Sequence, residues 1–452
     1  VIWLAALTGG HRLVPCSPDC TPHELTRLFR ARRPDFMILD GENQQLSAAL
    51  TETASPGLEI VTRARLAEAI SDWAAEEDME NPPEPREGTL YLTTSGTTGE
   101  PKSVCLRAGQ IAWTAEQIRI SHQLTRTDRG LAVLPFFHIN APVVSLCATL
   151  QAGGMVVLAP RFSRSRFWSW IADERITWAS IVPTIVALLL QSDGPSAPPP
   201  TLRFVRTASA PLPAAHLLAF ERQFGIPVIE TYGLSEAASQ ITANPVPPGR
   251  HKPGSVGLPT GIDLRVCVPA GDDALPALRD VAPGEEGEIC VRGPSIIEGY
   301  GGGAGARSFV GGWFRTGDLG HVDAEGYIYL TGRLRDVINC GGHKVAPREV
   351  EEVLLAHSGV RDVAVVGESD PVFGQRVVAY VVADQETMSP GKTLAKSLQT
   401  YCAQRLSAYK VPSAFLAVTA LPRNRTGKIQ RHLLAPDARV PVSAALAGSQ
   451  EA

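Results

Sequence analysis

The chain has 452 residues, of which 44% are hydrophobic and 19% are charged, and its formal net charge is −4. This length exceeds what one core usually accommodates and predicts two or more domains of a globular enzyme. The weak negative charge, without a block of Lys or Arg, argues against a nucleic-acid partner. The longest apolar stretch, Ile176 to Leu190, is too short and too interrupted to span a membrane.

The eight cysteines are scattered and show no zinc-type spacing. Reduced thiols and a cytoplasmic location are therefore expected. The chain begins inside an apolar segment without a methionine, which suggests that its natural start is missing.

Strand-like and helix-like runs alternate through the first three hundred residues. A helix over Thr21 to Ala31 precedes a strand over Asp35 to Leu39. Further strands are predicted at residues 90–92, 104–106, 130–135, 154–158, 178–182, 202–206 and 227–230, most of them separated by helices. This alternation predicts an α/β fold with largely parallel sheets.

The pattern changes from Gly257 onward, where short glycine-rich strands predict a small antiparallel or barrel-like region. After Arg335 the chain predicts a compact mixed segment, with helices at 347–356 and 393–405 and strands at 360–366 and 376–382. The predicted domains are residues 1–333 and 334–452. The tail beyond Ala435 is expected to be frayed.

A polar loop between two apolar strands is the most informative motif. Thr93 to Gly99 contains only Thr, Ser and Gly, and Lys102 follows. Glycines let backbone N–H groups converge on one anion, while hydroxyls and an ammonium add donors and charge. The spacing is not that of a Walker loop, since Pro101 stands where the second glycine would be required.

Four later segments share this polarity, and they begin at Glu230, Gly312, Gly332 and Pro422. The first follows a predicted strand, at the sheet edge where α/β proteins bind ligands, and ends in a carboxylate suited to Mg²⁺. The second ends in Asp318, whose ionised carboxylate accepts two hydrogen bonds, as a sugar diol would supply. Each residue alone could equally be structural, such as Tyr232 as a core aromatic or Lys428 as a solvated lysine.

Together, in this order, the segments resemble the adenylate-forming superfamily of acyl-CoA synthetases, peptide-synthetase adenylation domains and luciferases. The match runs from about residue 4 to 432 and is most similar to oxalate- and coumarate-type CoA ligases. It implies a large N-terminal domain of two αβ-layered, mostly parallel sheets with a small β-barrel-like subdomain. A small mobile α+β C-terminal domain follows, and roughly one leading strand–helix portion of the family is missing.

The resemblance also implies a site for ATP and Mg²⁺. Glu236 would bind Mg²⁺, and Lys428 would bridge the substrate carboxylate and the α-phosphate. The phosphates would be bound by the loop residues Thr94, Ser95, Gly96, Thr97, Thr98, Gly99 and Lys102. Adenine would lie between two walls, Ser209, Ala210 and Pro211 on one side and Glu230, Thr231 and Tyr232 on the other. The ribose would be bound by Asp318 and Arg333.

For the acid, the resemblance implies a pocket beside His138. This segment has no aspartate to pair with an ammonium, so an α-amino acid is disfavoured. Ser239 stands where oxalate-type ligases would have a histidine, which argues against oxalate and leaves a small, aryl or medium-chain monocarboxylate equally possible. The expected pocket residues are His138, Asn140, Thr207, Ala208, Gly233, Leu234 and Ser239.

The resemblance implies that the C-terminal domain rotates about Arg335 and brings Gly341 and Gly342 against the pantetheine arm of a thiol. The leading hypothesis is an ATP-dependent ligase that adenylates a small carboxylic acid, releases pyrophosphate and transfers the acyl group to CoA. A carrier-protein phosphopantetheine is an alternative acceptor, as are an amine, nitrite or oxygen. A non-catalytic nucleotide-binding module is disfavoured because both Glu236 and Lys428 are present.

Overall fold

The computed structural model describes residues 2–18, 20–39, 58–75, 84, 86–94, 102–192, 194–195, 197–269, 277–301, 305–384, 394–424 and 427–434. These residues belong to two compact units, Val1–Gly88 and Thr89–Ala452. Most of the predicted ligand loop, residues 95–101, lies outside the described residues.

The described residues of the first unit form three helices and a parallel strand pair. The helices are α1 (Ile2–Thr8), α2 (Pro22–Arg32) and α3 (Arg63–Ala75). The strands are β1 (Arg12–Leu13), β2 (Phe36–Leu39) and β3 (Glu59–Thr62), and β2 pairs with β3 in parallel. Thr21 begins α2 as predicted, because its side chain and that of Glu24 form a reciprocal capping box.

The second unit begins with the hairpin that carries the predicted ligand loop. Strands β4 (Thr89–Thr94) and β5 (Lys102–Arg107) pair antiparallel, and Thr94 lies opposite Lys102 at the last pair. Helix α4 (Ala108–Ser121) follows directly. The predicted arrangement of two strands around this loop is therefore present.

A seven-stranded sheet forms the centre of the second unit, in the order β12-β11-β10-β9-β8-β6-β7. Its strands β6 to β10 are parallel, while β11 and β12 are antiparallel additions at one side. The strands are β6 (Arg129–Ala132), β7 (Met155–Leu158), β8 (Trp178–Ile181), β9 (Phe204–Thr207), β10 (Val228–Leu234), β11 (Ser239–Ala243) and β12 (Leu258–Pro259).

Helices connect the parallel strands, as expected of βαβ units. They are α5 (Ala148–Gln151), α6 (Phe167–Asp173), α7 (Pro183–Leu190) and α8 (Ala214–Phe224). The turns before α5, Ala141–Cys147, are π-helical rather than α-helical. Strands β8 and β9 are buried along their whole length, and aliphatic and aromatic side chains of α6, α7 and α8 pack against them.

A smaller antiparallel sheet follows, as the sequence predicts after Gly257. Its order is β13-β14-β16-β15, with β17 paired to β16. The strands are β13 (Asp263–Cys267), β14 (Gly287–Arg292), β15 (Phe309–Val310), β16 (Trp313–Val322) and β17 (Ile328–Arg333).

The C-terminal segment forms its own sheet and core. The sheet has the order β19-β18-β21-β20, with β22 parallel to β21. Its elements are β18 (Ile338–Cys340), β19 (His343–Val345), α9 (Pro347–Leu355), β20 (Val360–Asp370), β21 (Gly374–Ala383), α10 (Leu394–Ala403) and β22 (Ala414–Ala417). Apolar residues of α9 and α10 pack on this sheet in a cluster separate from that of the large sheet. In the described part of the chain, no helix is both long and apolar enough to cross a membrane.

Candidate active site

Two adjacent parallel strands bring the first site segments together. Thr207 ends β9 and lies opposite Glu230 in β10. The β10 strand then continues through Tyr232 to Leu234, beyond the parallel ladder. Carboxyl ends of adjacent parallel strands meet at one sheet edge, which is where α/β proteins bind ligands.

Asp318 is the best-connected acid of the site. Although only 4% exposed, it accepts a hydrogen bond from the Tyr232 hydroxyl at 2.6 Å and pairs with Arg333 Nε at 2.8 Å. The register of β16 and β17 places Asp318 opposite Arg333. Burial and the neighbouring Asp318 charge raise the pKa of Tyr232, and Asp318 raises the pKa of Arg333. The Arg333 guanidinium is therefore protonated at neutral pH.

Lys428 lies in electrostatic range of this pair. Burial, and then the positive charge of Arg333, lower its pKa to about 8, while Asp318 acts in the opposite direction. The backbone around it is a tight turn, because Lys428 N donates to Asn424 Oδ1 at 2.9 Å and Gly427 adopts a φ of +79°. The predicted lysine of the C-terminal segment is thus close enough to the predicted acid Asp318 for their charges to interact.

Glu236 lies in the short helical turn after β10. Its Oε1 accepts a hydrogen bond from the Tyr300 hydroxyl at 2.8 Å, and no described residue donates to its Oε2. Among the described side chains, no group of three or more His, Cys, Asp or Glu could hold a metal ion. A single carboxylate with one open oxygen fits Mg²⁺ that takes its remaining ligands from phosphates and water.

The expected acid pocket is partly assembled. Asn140 is buried and its Nδ2 donates to Ser209 Oγ at 3.2 Å, which joins the segment after His138 to the predicted adenine wall. The rings of His138 and Phe137 lie 4.5 Å apart. Ala208 is buried. In the predicted adenine wall, Ala210 is half-buried and Pro211 is exposed.

Gly233 of β10 lies against the backbone carbonyl of Ser239 in β11. A Cβ on Gly233 would lie 1.4 Å from the Ser239 carbonyl oxygen, so no larger residue fits there. Ser239 itself has a φ of +108°, a conformation that non-glycine residues rarely adopt. Leu234, directly opposite Ser239, is half-buried.

Glu230 and Thr231 make structural contacts with their side chains. Glu230 Oε2 accepts a hydrogen bond from Gly254 N at 2.9 Å, and burial raises the pKa of Glu230 to about 7. Thr231 Oγ1 donates to the Thr207 carbonyl at 3.1 Å. These contacts hold both side chains against neighbouring backbone.

The expected hinge and thiol-tunnel residues lie on exposed turns. Arg335 is exposed and its Nε approaches Asp336 Oδ1 at 3.4 Å. Gly341 and Gly342 both have positive φ values, 58° and 86°, in the turn between β18 and β19. A Cβ on Gly341 would lie 3.0 Å from the Phe373 ring.

Two family models match the sequence. The AMP-binding enzyme model matches residues 1–301, and the model of the AMP-binding enzyme C-terminal domain matches residues 349–428. The chain belongs to the AMP-binding enzyme family. The predicted boundary at residues 333 and 334 falls between the two matches and stays a prediction.

Members of this family are similar to the chain over most of its length. Sulfoacetate–CoA ligase of Cupriavidus necator is 43% identical over 436 residues, which cover 95% of this chain and 83% of the relative. Oxalate–CoA ligase of Arabidopsis thaliana is 36% identical, covering 82% and 71%. The solved structure of O-succinylbenzoate CoA synthetase from Bacillus subtilis, with ATP and magnesium ion, has a TM-score of 0.78 at 29% identity, covering 96% and 86%.

These comparisons confirm the predicted class of this AMP-binding enzyme. It is an AMP-forming carboxylate ligase of the acyl-CoA synthetase type, which uses ATP, Mg²⁺ and CoA. The predicted fold class and the likeness to oxalate-type ligases are confirmed as well.

Two polar residues of this AMP-binding enzyme were not predicted from the sequence. Tyr300, which binds Glu236, lies in a glycine-rich stretch where no pattern marks it. Arg206 lies within strand β9 and is 1% exposed. A charged residue at the end of an apolar run was the available signal for Arg206.

Proposed function

We propose that this ligase adenylates its acid at the cluster formed by Asp318, Arg333 and Lys428. The observation that carries the proposal is the electrostatic coupling of the Lys428 ammonium to the other two charges. Through this coupling, a lysine of the predicted C-terminal domain would contribute to the nucleotide site of the predicted N-terminal domain, residues 1–333. Its positive charge would stabilise the negative charge that develops when a carboxylate oxygen attacks the α-phosphate.

The remaining nucleotide contacts follow from the contacts of Asp318. Its carboxylate, oriented by Tyr232 and Arg333, would accept the two ribose hydroxyls. The Tyr232 ring would stack on adenine, between the backbone of Glu230–Thr231 and that of Ser209–Pro211. The loop from Thr94 to Lys102 would hold the β- and γ-phosphates.

Glu236 would hold Mg²⁺ through its open oxygen, with Tyr300 fixing the other. When bound, Mg²⁺ neutralises phosphate charge and orients the pyrophosphate leaving group. The half-exposed position of Glu236 suits an ion that keeps several water ligands.

The acid would be short. Sulfoacetate–CoA ligase and oxalate–CoA ligase, at 43% and 36% identity, are named for acids that contain two carbon atoms. The second acidic group is a sulfonate in sulfoacetate and a carboxylate in oxalate. The pocket would include His138, Asn140, Thr207, Ala208, Gly233, Leu234 and Ser239. Gly233 and Ser239 would close it, because their backbones are already in contact.

CoA would take the acyl group after the C-terminal domain, residues 334–452, pivots at Arg335 and presents Gly341 and Gly342 to the thiol arm. A carrier-protein phosphopantetheine presents the same arm and is the alternative acceptor.

All eight cysteines are free, which supports a reducing compartment such as the cytoplasm.

Separate assays of the two half-reactions test the role of Lys428. In Lys428→Ala, acid-dependent ATP–pyrophosphate exchange should fall roughly 100- to 1000-fold, as for loss of one transition-state donor. Thiol transfer from supplied acyl-adenylate to CoA should survive. Lys410→Ala is a matched control, because Lys410 is paired with Glu349 at 2.6 Å on the same domain. Equal loss of both half-reactions in Lys428→Ala would contradict the assignment.

A further inference from the structure

Arg206 is a buried cation in the seven-stranded sheet. The proposed adenylation reaction assigns it no role. It lies in β9, next to Thr207, and its side chain is 1% exposed. In the register of the sheet it pairs with Ser180 of β8. The two side chains therefore share one face, and Thr207 points to the other.

The Arg206 guanidinium has fewer acceptors than donors. Its Nη1 donates to Asn140 Oδ1 at 3.2 Å and to Ser180 Oγ at 3.1 Å, whereas its Nε has no partner. In the described part of the chain, Arg206 forms no ion pair with a carboxylate, whereas the nearby Arg203 pairs with Asp128 at 2.7 Å. Burying a cation without an anion is costly, so such a residue is retained where an anion compensates it.

Two other buried ring nitrogens on this face also lack hydrogen-bond partners. They are His122 Nε2 and the indole N–H of Trp178. The His122 ring lies 6.1 Å from the Trp178 ring and 5.6 Å from the ring of Phe204, two residues before Arg206. Burial and the charge of Arg206 lower the pKa of His122, which keeps that ring neutral. Two buried N–H donors, Arg206 Nε and Trp178 Nε1, are therefore without acceptors beside the positive charge of Arg206.

Asn140 connects this charge to the proposed acid pocket. Its Oδ1 accepts from Arg206 and Ser180, and its Nδ2 donates to Ser209. It stands two residues after His138, which is proposed to lie beside the reacting carboxylate. One amide side chain thus separates the cation from the residues expected to surround the acid.

We infer that Arg206 binds a second anionic group, a carboxylate or a sulfonate, on the acid whose first carboxylate is adenylated. The inference rests on the proposed function. It answers the objection that Ser239 supplies no cation for a second acidic group, because the cation comes from β9 instead. The amide of Asn140 would position both the guanidinium and the anion.

Acid pairs that differ only in the second charge test this inference. Sulfoacetate is compared with methylsulfonylacetate, and oxalate with oxamate, in acid-dependent ATP–pyrophosphate exchange. The wild-type enzyme should favour the doubly charged member of at least one pair by about 100-fold in kcat/KM, as expected when a buried charge pair loses one partner. Which pair responds distinguishes a sulfonate from a carboxylate.

Variants then assign the preference to Arg206. Arg206→Met should lose the preference for the doubly charged acid, because the KM for that acid rises. The KM for ATP should stay unchanged. Arg206→Lys should keep part of the preference, because the charge remains. Ser180→Ala, which removes one hydrogen bond and no charge, is the matched control and should keep the preference. The melting temperature of Arg206→Met should not fall, since an apolar residue replaces an uncompensated charge.

Each outcome is decisive. If no acid supports exchange, the proposed function fails. If wild-type enzyme uses charged and neutral members equally well, or Arg206→Met slows both equally, the ligase function stands and the inference fails. Should Arg206→Met not fold, the wild-type preference and its partial retention in Arg206→Lys still decide the question.

Discussion

At the scale of single residues, the Asp318 carboxylate is oriented before any ligand arrives. One oxygen accepts from Tyr232 at 2.6 Å and the other pairs with Arg333 at 2.8 Å. Each oxygen retains a lone pair, so two further donors can bind without breaking these contacts. This carboxylate is therefore suited to two neighbouring hydroxyls, and its orientation costs little when they bind.

The proximity of Lys428 to Arg333 predicts a pH dependence of adenylation. Burial and the Arg333 charge lower the pKa of Lys428 to about 8, and only the protonated ammonium can stabilise developing negative charge. The kcat/KM for ATP in pyrophosphate exchange should therefore fall as pH rises through about 8, since this parameter reports groups of the free enzyme.

Two comparisons separate Lys428 from other titrating groups. Arg335 also lowers the pKa of Lys428, so the fall in Arg335→Gln should move to higher pH. Thiol transfer from supplied acyl-adenylate should not show the fall. An identical midpoint in wild type and Arg335→Gln would argue against the assignment.

At the scale of elements, β10 carries a buried acid that links pH to stability. Glu230 is 4% exposed and its pKa is raised to about 7 by burial. An acid whose pKa is raised on folding contributes stability below its unfolded pKa of 4.5. That stability is lost as pH rises through about 7.

The expected loss in wild type is on the order of 3 kcal/mol between these two pKa values. Glu230→Gln should show little of it, because the amide cannot ionise while its oxygen can still accept from Gly254 N. Denaturant midpoints of both proteins at pH 5, 6, 7 and 8 measure the difference. Parallel profiles would mean that Glu230 does not titrate in this range.

The elements themselves were largely predictable from the sequence. Strands β8 and β9 are apolar runs of strand length between helical patterns, and α2 begins at its capping threonine as predicted. Motif order predicted functional roles for Asp318, Glu236 and Lys428, and those roles stay predictions. Arg206 and Tyr300 were missed because their importance arises from burial and from partners distant in sequence, Asn140 and Glu236, which no local period encodes.

At the scale of the whole chain, the turn at Gly427 packs directly on helix α7, which lies beside the seven-stranded sheet. Gly427 has a φ of +79°, and a Cβ there would lie 2.7 Å from Thr184 Oγ1 and 2.9 Å from Thr184 Cγ2. Thr184 lies in the first turn of α7, beside β8 of the seven-stranded sheet. The contact therefore fixes how closely the next residue, Lys428, approaches the Asp318–Arg333 pair.

Gly427→Ala should consequently impair adenylation more than thiol transfer. We expect pyrophosphate exchange to fall by about 10- to 100-fold, from the Thr184 clash and from the strain of a side chain at positive φ, which costs about 1–2 kcal/mol. Thr184→Ala alone should change exchange little. The double variant Gly427→Ala/Thr184→Ala should recover the part due to the clash and retain the part due to strain. If the double variant is no faster than Gly427→Ala, the turn acts through its own backbone, and docking on α7 does not position Lys428.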